Sequence, residues 1–160
     1  MTKFVKVTPA DFETAKNIIQ LSFQTVADTF GLTRENCPTH TSFIEVDRLQ
    51  RDYNSGDAMF LLFDGENAVG YFSLHRENET EAELNHVAVL PTARHGGYGK
   101  LILDKAAQTA REMGYARINI GIVEESEVLK NWYLRYGFVH DGTGKFAHLP
   151  FTVGFMHLEV

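Results

Sequence analysis

The 160-residue chain reads as one α+β domain spanning residues 1–160, a mixed sheet with helices on both faces. Three observations predict this. Two long stretches place apolar residues at helical spacing. The runs between them are solidly apolar or alternate, as strands do. No repeat, low-complexity tract or Pro/Gly-rich boundary divides the chain.

The elements follow in order. Phe4–Val7 alternates as a strand. Thr8-Pro9 supplies an N-cap and a first helical residue, and from Asp11 the positions Phe12, Ala15, Ile18, Ile19, Phe23, Val26 and Ala27 mark a helix that Gly31 stops. Leu32–Pro38 is a loop, and a second helix is expected over about Thr41–Tyr53. Met59–Phe63 and Val69–Leu74, joined by Asp64-Gly65-Glu66-Asn67, form a hairpin. Glu81–Leu90 is a longer strand ended by Pro91. Leu101, Ile102, Ala106, Thr109, Ala110 and Met113 stripe a helix from about Gly97 to Met113, with Gly114 at its C′ position. Ile118, Ile120 and Ile122 alternate on a strand, Ser126 caps a helix running to Tyr136, and Phe151–Leu158 is the last strand. The predicted order is β-α-α-β-β-β-α-β-α-β.

Composition narrows the class. An apolar fraction of 44% and a charged fraction of 22% are ordinary for a globular protein. No apolar run approaches the ~20 residues that span a bilayer, so no membrane association is expected. The first residues turn polar before a signal-peptide core could form, which makes the cytoplasm the expected location. Cys37 is the single cysteine, so no internal disulfide is expected, and the seven histidines lack metal spacing. A net charge of −6 argues against nucleic acid and is compatible with a cationic substrate.

The chemistry concentrates in Val89-Leu90-Pro91-Thr92-Ala93-Arg94-His95-Gly96-Gly97-Tyr98-Gly99-Lys100, a strand, a three-glycine loop and a helix start. Glycines let backbone N–H groups approach a ligand closely. The first helical turn leaves amide donors unpaired at the positive end of the dipole. Together they suit a pyrophosphate, and Arg94 and Lys100 add charge. Other phosphate motifs fit badly. A P-loop needs Ser or Thr after Gly-Lys, where Leu101 stands, and a dinucleotide fingerprint needs a glycine where Ile102 stands.

Arg94-x-x-Gly97-x-Gly99 resembles the arginine/glutamine-x-x-glycine-x-glycine/alanine loop of the Gcn5-related N-acetyltransferase family. The preceding Glu83-Leu84-Asn85-His86-Val87-Ala88-Val89 resembles that family's fourth strand. Trp132-Tyr133-Leu134-Arg135-Tyr136-Gly137-Phe138 resembles its tyrosine-x-x-x-glycine-phenylalanine ending. The order and separations agree from Glu83 to Phe138. The resemblance implies acetyl-CoA as co-substrate and no metal. Its pantetheine arm would lie along Val87, Ala88 and Val89, and its pyrophosphate on the loop of Arg94, His95, Gly96, Gly97, Tyr98, Gly99 and Lys100. The fourth and fifth strands of the family part to form the cleft. Ser126 stands where the family usually has an asparagine contacting the arm, so it keeps that contact in reduced form or serves only as a helix cap.

Transfer to an amine needs a base, because a lysine-like amine has a pKa of about 10.4. Glu83 matches the glutamate base of histone-type members, with Glu81 and His86 in reserve and Glu124 behind them. Tyr133 matches the family's general acid, since a phenol can protonate a departing thiolate. The alternative for Tyr133 is a core aromatic, as expected for Trp132 and Tyr136. Asn36-Cys37-Pro38-Thr39-His40 places a thiol near an imidazole, but it reads better as the loop joining the first two helices, which in the family shape the acceptor site. The acceptor is expected to be the amine of a small molecule or peptide, bound between residues 23–53 and 146–151. Pairing of two subunits through the last strands stays open. A non-catalytic acyl-CoA sensor is the rival reading, and retention of both Glu83 and Tyr133 favours the enzyme.

Overall fold

β2 (Ala58–Asp64) and β3 (Asn67–Arg76) are apolar on both sides because helices cover both faces of the sheet they belong to. The computed structural model describes all residues, Met1–Val160. β1 (Thr2–Lys6) leads through a 3-10 turn into α1 (Phe12–Phe30) and then α2 (Val46–Asn54). β4 (Glu81–Val89) follows the β2–β3 hairpin, and then come α3 (Tyr98–Glu112), β5 (Arg117–Val123), α4 (Glu127–Tyr136), β6 (Val139–Lys145) and β7 (Thr152–Glu159). The seven strands lie in the order β1-β2-β3-β4-β5-β7-β6. Every pair is antiparallel except β4–β5.

Alternation sorts the apolar side chains into two layers. Phe60, Leu62, Phe72 and Leu74 face α3 and pack with Ile102, Leu103, Ala106, Ile118 and Tyr133. Met59, Leu61 and Tyr71 face the other way and pack with Phe12, Ala15, Ile18 and Ile19 of α1 and Leu49 of α2. Leu61 and Leu62 are both fully buried; each such side chain contributes about 1.5–3 kcal/mol of burial free energy.

Two elements depart from the sequence expectation. The segment expected as one helix over Thr41–Tyr53 is a 3-10 turn, Thr41–Phe43, followed by the shorter α2. His40 caps that turn by accepting from the Ser42 amide, which redirects the chain before α2 begins. The predicted order also lacks β6. Its sequence, VHDGTGK, carries one large apolar residue and two glycines, so no strand pattern shows. It forms because β7 offers its free edge, where backbone pairing needs no buried side-chain face.

Candidate active site

β4 and β5 are paired over only three positions, Glu81–Glu83 against Arg117–Asn119. Beyond Glu83 the two strands part. The cause lies in β4, where Ser73 of β3 faces Asn85 but Tyr71 faces Ala88, so His86 and Val87 together stand opposite Phe72. This bulge bends the strand away from β5. Ala88 is then buried against α1 and Met59, while Val87 and Val89 lie against the α3-side core. The Val89 amide donates to Ser22 Oγ of α1 at 3.3 Å.

The glycine-rich loop lies at the mouth of this opening. Gly97 takes a left-handed conformation, φ 83°, as the N-cap of α3, and no side chain caps the helix. The first-turn amides therefore face outward, a ready anion site. His95 also has positive φ, 67°. Arg94 does not offer its charge to this site. Its Nη2 donates to the Ser22 carbonyl at 2.8 Å and its Nη1 to Thr25 Oγ1 at 3.1 Å, tying the loop to α1. Lys100 is bonded to Asp104 at 2.9 Å, and the Tyr98 hydroxyl donates to Asp64. The groups at this turn without a side-chain partner are the backbone amides that begin α3.

Gly99 has a separate reason to be glycine. A Cβ there would stand 2.7 Å from Trp132 Cζ2, so the start of α3 and the indole of α4 are in direct contact. Trp132 packs edge-on to Tyr133 at 4.8 Å between ring centroids, and Tyr133 in turn packs on Phe138 at 5.1 Å. The Tyr133 ring is buried, which holds its phenol above the usual range and hence neutral. Its hydroxyl is not among the fully enclosed, unpartnered polar atoms, a set that does include the Tyr71 hydroxyl. Ser126 is the N-cap of α4, accepting from the Leu129 amide at 3.4 Å.

The carboxylates near the opening separate by environment. Glu83 is half-buried at the last paired position of β4, directly across from His75 on β3. Burial raises its pKa, and the neighbouring Glu77 adds to the rise. Glu81 is held low by hydrogen bonds from Asn78 and Asn119, and Arg117 adds its charge. Glu124 is held low by Lys130 at 2.7 Å and His140 at 2.8 Å. His86 is enclosed under α2, and burial lowers its pKa to about 4. Among the four groups considered as bases from sequence, Glu83 alone combines partial exposure with a raised pKa.

Cys37 is fully buried with Ala27 and Leu32, against Phe30, Leu149 and Phe151. Burial raises its thiol pKa, so it is a packing residue and a poor nucleophile. The same cluster joins the α1–α2 connection to the β6–β7 connection, which brings together the two segments expected to flank the acceptor. Sequence reasoning missed Ser22, Thr25 and Asp52. They are ordinary helix residues in sequence, and only the docking of α1 and α2 on the sheet gives them partners.

A mixed sheet whose two parallel strands part beside an uncapped helix start is the frame of an N-acetyltransferase. The chain belongs to the acetyltransferase (GNAT) family, which it matches over residues 24–138. An uncharacterised N-acetyltransferase of Lactobacillus delbrueckii subsp. lactis is 26% identical over 164 residues, covering 94% of this chain and 90% of the relative. The ribosomal-protein-S18-alanine N-acetyltransferase of Escherichia coli superposes with a TM-score of 0.79 at 14% identity, over 100% of this chain and 94% of that one. The Salmonella typhimurium protein yncA, solved with its cofactor acetyl-CoA, superposes with a TM-score of 0.75 at 16% identity, over 99% and 94%.

Proposed function

We propose that this protein moves the acetyl group of acetyl-CoA directly to a primary amine of a small molecule or peptide. The observation that carries the reading is the parting of β4 from β5 immediately after Glu83, with the uncapped start of α3 at its mouth. That arrangement suits acetyl-CoA in two ways. The α3 turn offers amides to a pyrophosphate, and the bulged Val87–Val89 backbone runs along an edge that β5 leaves open. Bound there, acetyl-CoA supplies an activated thioester. The amine class is supported by the neighbour acting on an alanine of ribosomal protein S18.

Glu83 takes a proton from the acceptor ammonium, itself or through one water, and its raised pKa brings it nearer to that task than an ordinary carboxylate. The Tyr133 hydroxyl donates its proton to the departing thiolate. Burial keeps the phenol protonated until that moment. Arg94 holds the loop against α1, and Ser126 starts α4 so that Tyr133 is presented about two turns later.

The test is thiol release from acetyl-CoA by the purified protein across a panel of amines, with a no-acceptor control. Release that depends on one acceptor class supports the reading. Acetyl-CoA binding without release for any amine would replace it with the sensor reading.

A further inference from the structure

One residue changes the face of β4. Leu84 lies in the α3-side core and Ala88, four positions on, lies in the α1-side core. In an uninterrupted strand the two would share a face. The switch occurs where His86 and Val87 stand opposite Phe72 alone, and there His86 has φ 55°. Positive φ is uncommon for a residue with a Cβ; histidine adopts it more often than most such residues, but without glycine's freedom. The surrounding structure must hold it.

The neighbour of its ring is α2. The His86 side chain is 10% exposed, and its Nε2 stands 4.0 Å from Asp52 Oδ2. Asp52 is itself fixed, its Oδ1 accepting from Arg48 Nε at 2.9 Å. His86 Nε2 and Asp52 Oδ2 are both fully enclosed and have no hydrogen-bond partner within the protein. At that separation a direct hydrogen bond is too long, so the two enclosed polar atoms stand beside each other unbonded. Neither group belongs to the acyl-transfer machinery described above, yet they link α2 to the strand that carries it.

We propose that His86 is a positioning residue. Its ring, lodged under α2 against Asp52, holds the left-handed bulge that turns Val87–Val89 toward the opening between β4 and β5. A slip of one residue would exchange the faces of Val87, Ala88 and Val89 and move their amides and carbonyls off the acetyl-CoA edge. The inference rests on the function proposed above, because it assigns that edge to acetyl-CoA.

The experiment is calorimetric titration with acetyl-CoA, which needs no acceptor, alongside thermal melting of the free protein. Binding by the wild-type protein is the first readout, and its absence would remove the proposed function itself. Given that binding, His86→Val replaces the ring with a β-branched side chain that resists positive φ. It is expected to raise the Kd at least about tenfold while keeping a cooperative melt. His86→Asn tolerates positive φ and keeps a polar group toward Asp52, so its Kd should stay within about threefold of wild type. Wild-type affinity in a folded His86→Val protein overturns the proposal, and so does equal weakening by Asn and Val. If His86→Val fails to fold, Asp52→Ala decides the question. A Kd raised at least about threefold supports the hold from α2, and an unchanged Kd refutes it.

Discussion

Gly99→Ala is expected to destabilise this protein although alanine is a better helix former than glycine. The new Cβ would lie 2.7 Å from Trp132 Cζ2 and 3.3 Å from Cη2, nearer than non-bonded carbons approach. The indole is a rigid ring backed by Tyr133 at 4.8 Å, so it can yield only by shifting on α4. Overpacking of this kind costs about 1–3 kcal/mol. Helix propensity returns up to about 1 kcal/mol in a helix interior and less near a terminus. The net loss is about 1–2 kcal/mol. At about 2–4 °C per kcal/mol for a domain of this size, that lowers Tm by about 2–8 °C. The measurement is a thermal melt of Gly99→Ala, Trp132→Ala and the double variant. Relief of the clash should appear as a coupling of at least about 0.5 kcal/mol. A Gly99→Ala protein melting with the wild type, with additive behaviour in the double variant, would refute the reasoning. Because Trp132 adjoins Tyr133, the same substitution should also lower kcat.

Further expectations concern the proposed chemistry. Tyr133→Phe keeps the ring in its core position and should lower kcat by about a hundredfold with little change in acetyl-CoA affinity; unchanged kcat in a steady-state assay removes Tyr133 as the acid. Glu83 acts deprotonated, so kcat/KM should rise with pH through a pKa above the ordinary carboxylate range, in keeping with the direction of its shift. Glu83→Gln should abolish that limb, and wild-type turnover in the variant would eliminate Glu83 as the base. Cys37→Ala should leave turnover intact while lowering stability by about 1 kcal/mol, since it removes a buried sulfur from a small apolar cluster. Loss of activity in a folded Cys37→Ala protein would contradict the packing role.

Much of the frame was legible in the sequence because it depends on local patterns. The helical spacing in residues 12–27, the solid run Met59–Phe63 and the alternation Ile118-Ile120-Ile122 each report one face of one element. The loop Arg94–Lys100 and the ending Tyr133–Phe138 were legible as motifs, since backbone freedom at Gly97 and a tyrosine four residues before Gly137 are local requirements. β6 was not legible, because an edge strand can form on backbone pairing alone. The division of labour among charges was equally hidden. Arg94 in sequence is a cation beside glycines, and only the docking of α1 hands it to Ser22 and Thr25. Glu81, Glu83 and Glu124 are alike as residue types, and their pKa values part only through neighbours brought from other elements.

The sequence by itself determined most of the helices and strands and where the glycine-rich turn before α3 lies, because those choices are made within a few residues. The tertiary structure alone decided that β4 bulges at His86 and leaves β5, that Glu83 is half-buried at that parting, and that Gly99 meets Trp132. Those are properties of packing between distant segments, and a chemical environment assembled from distant segments exists only once the chain has folded.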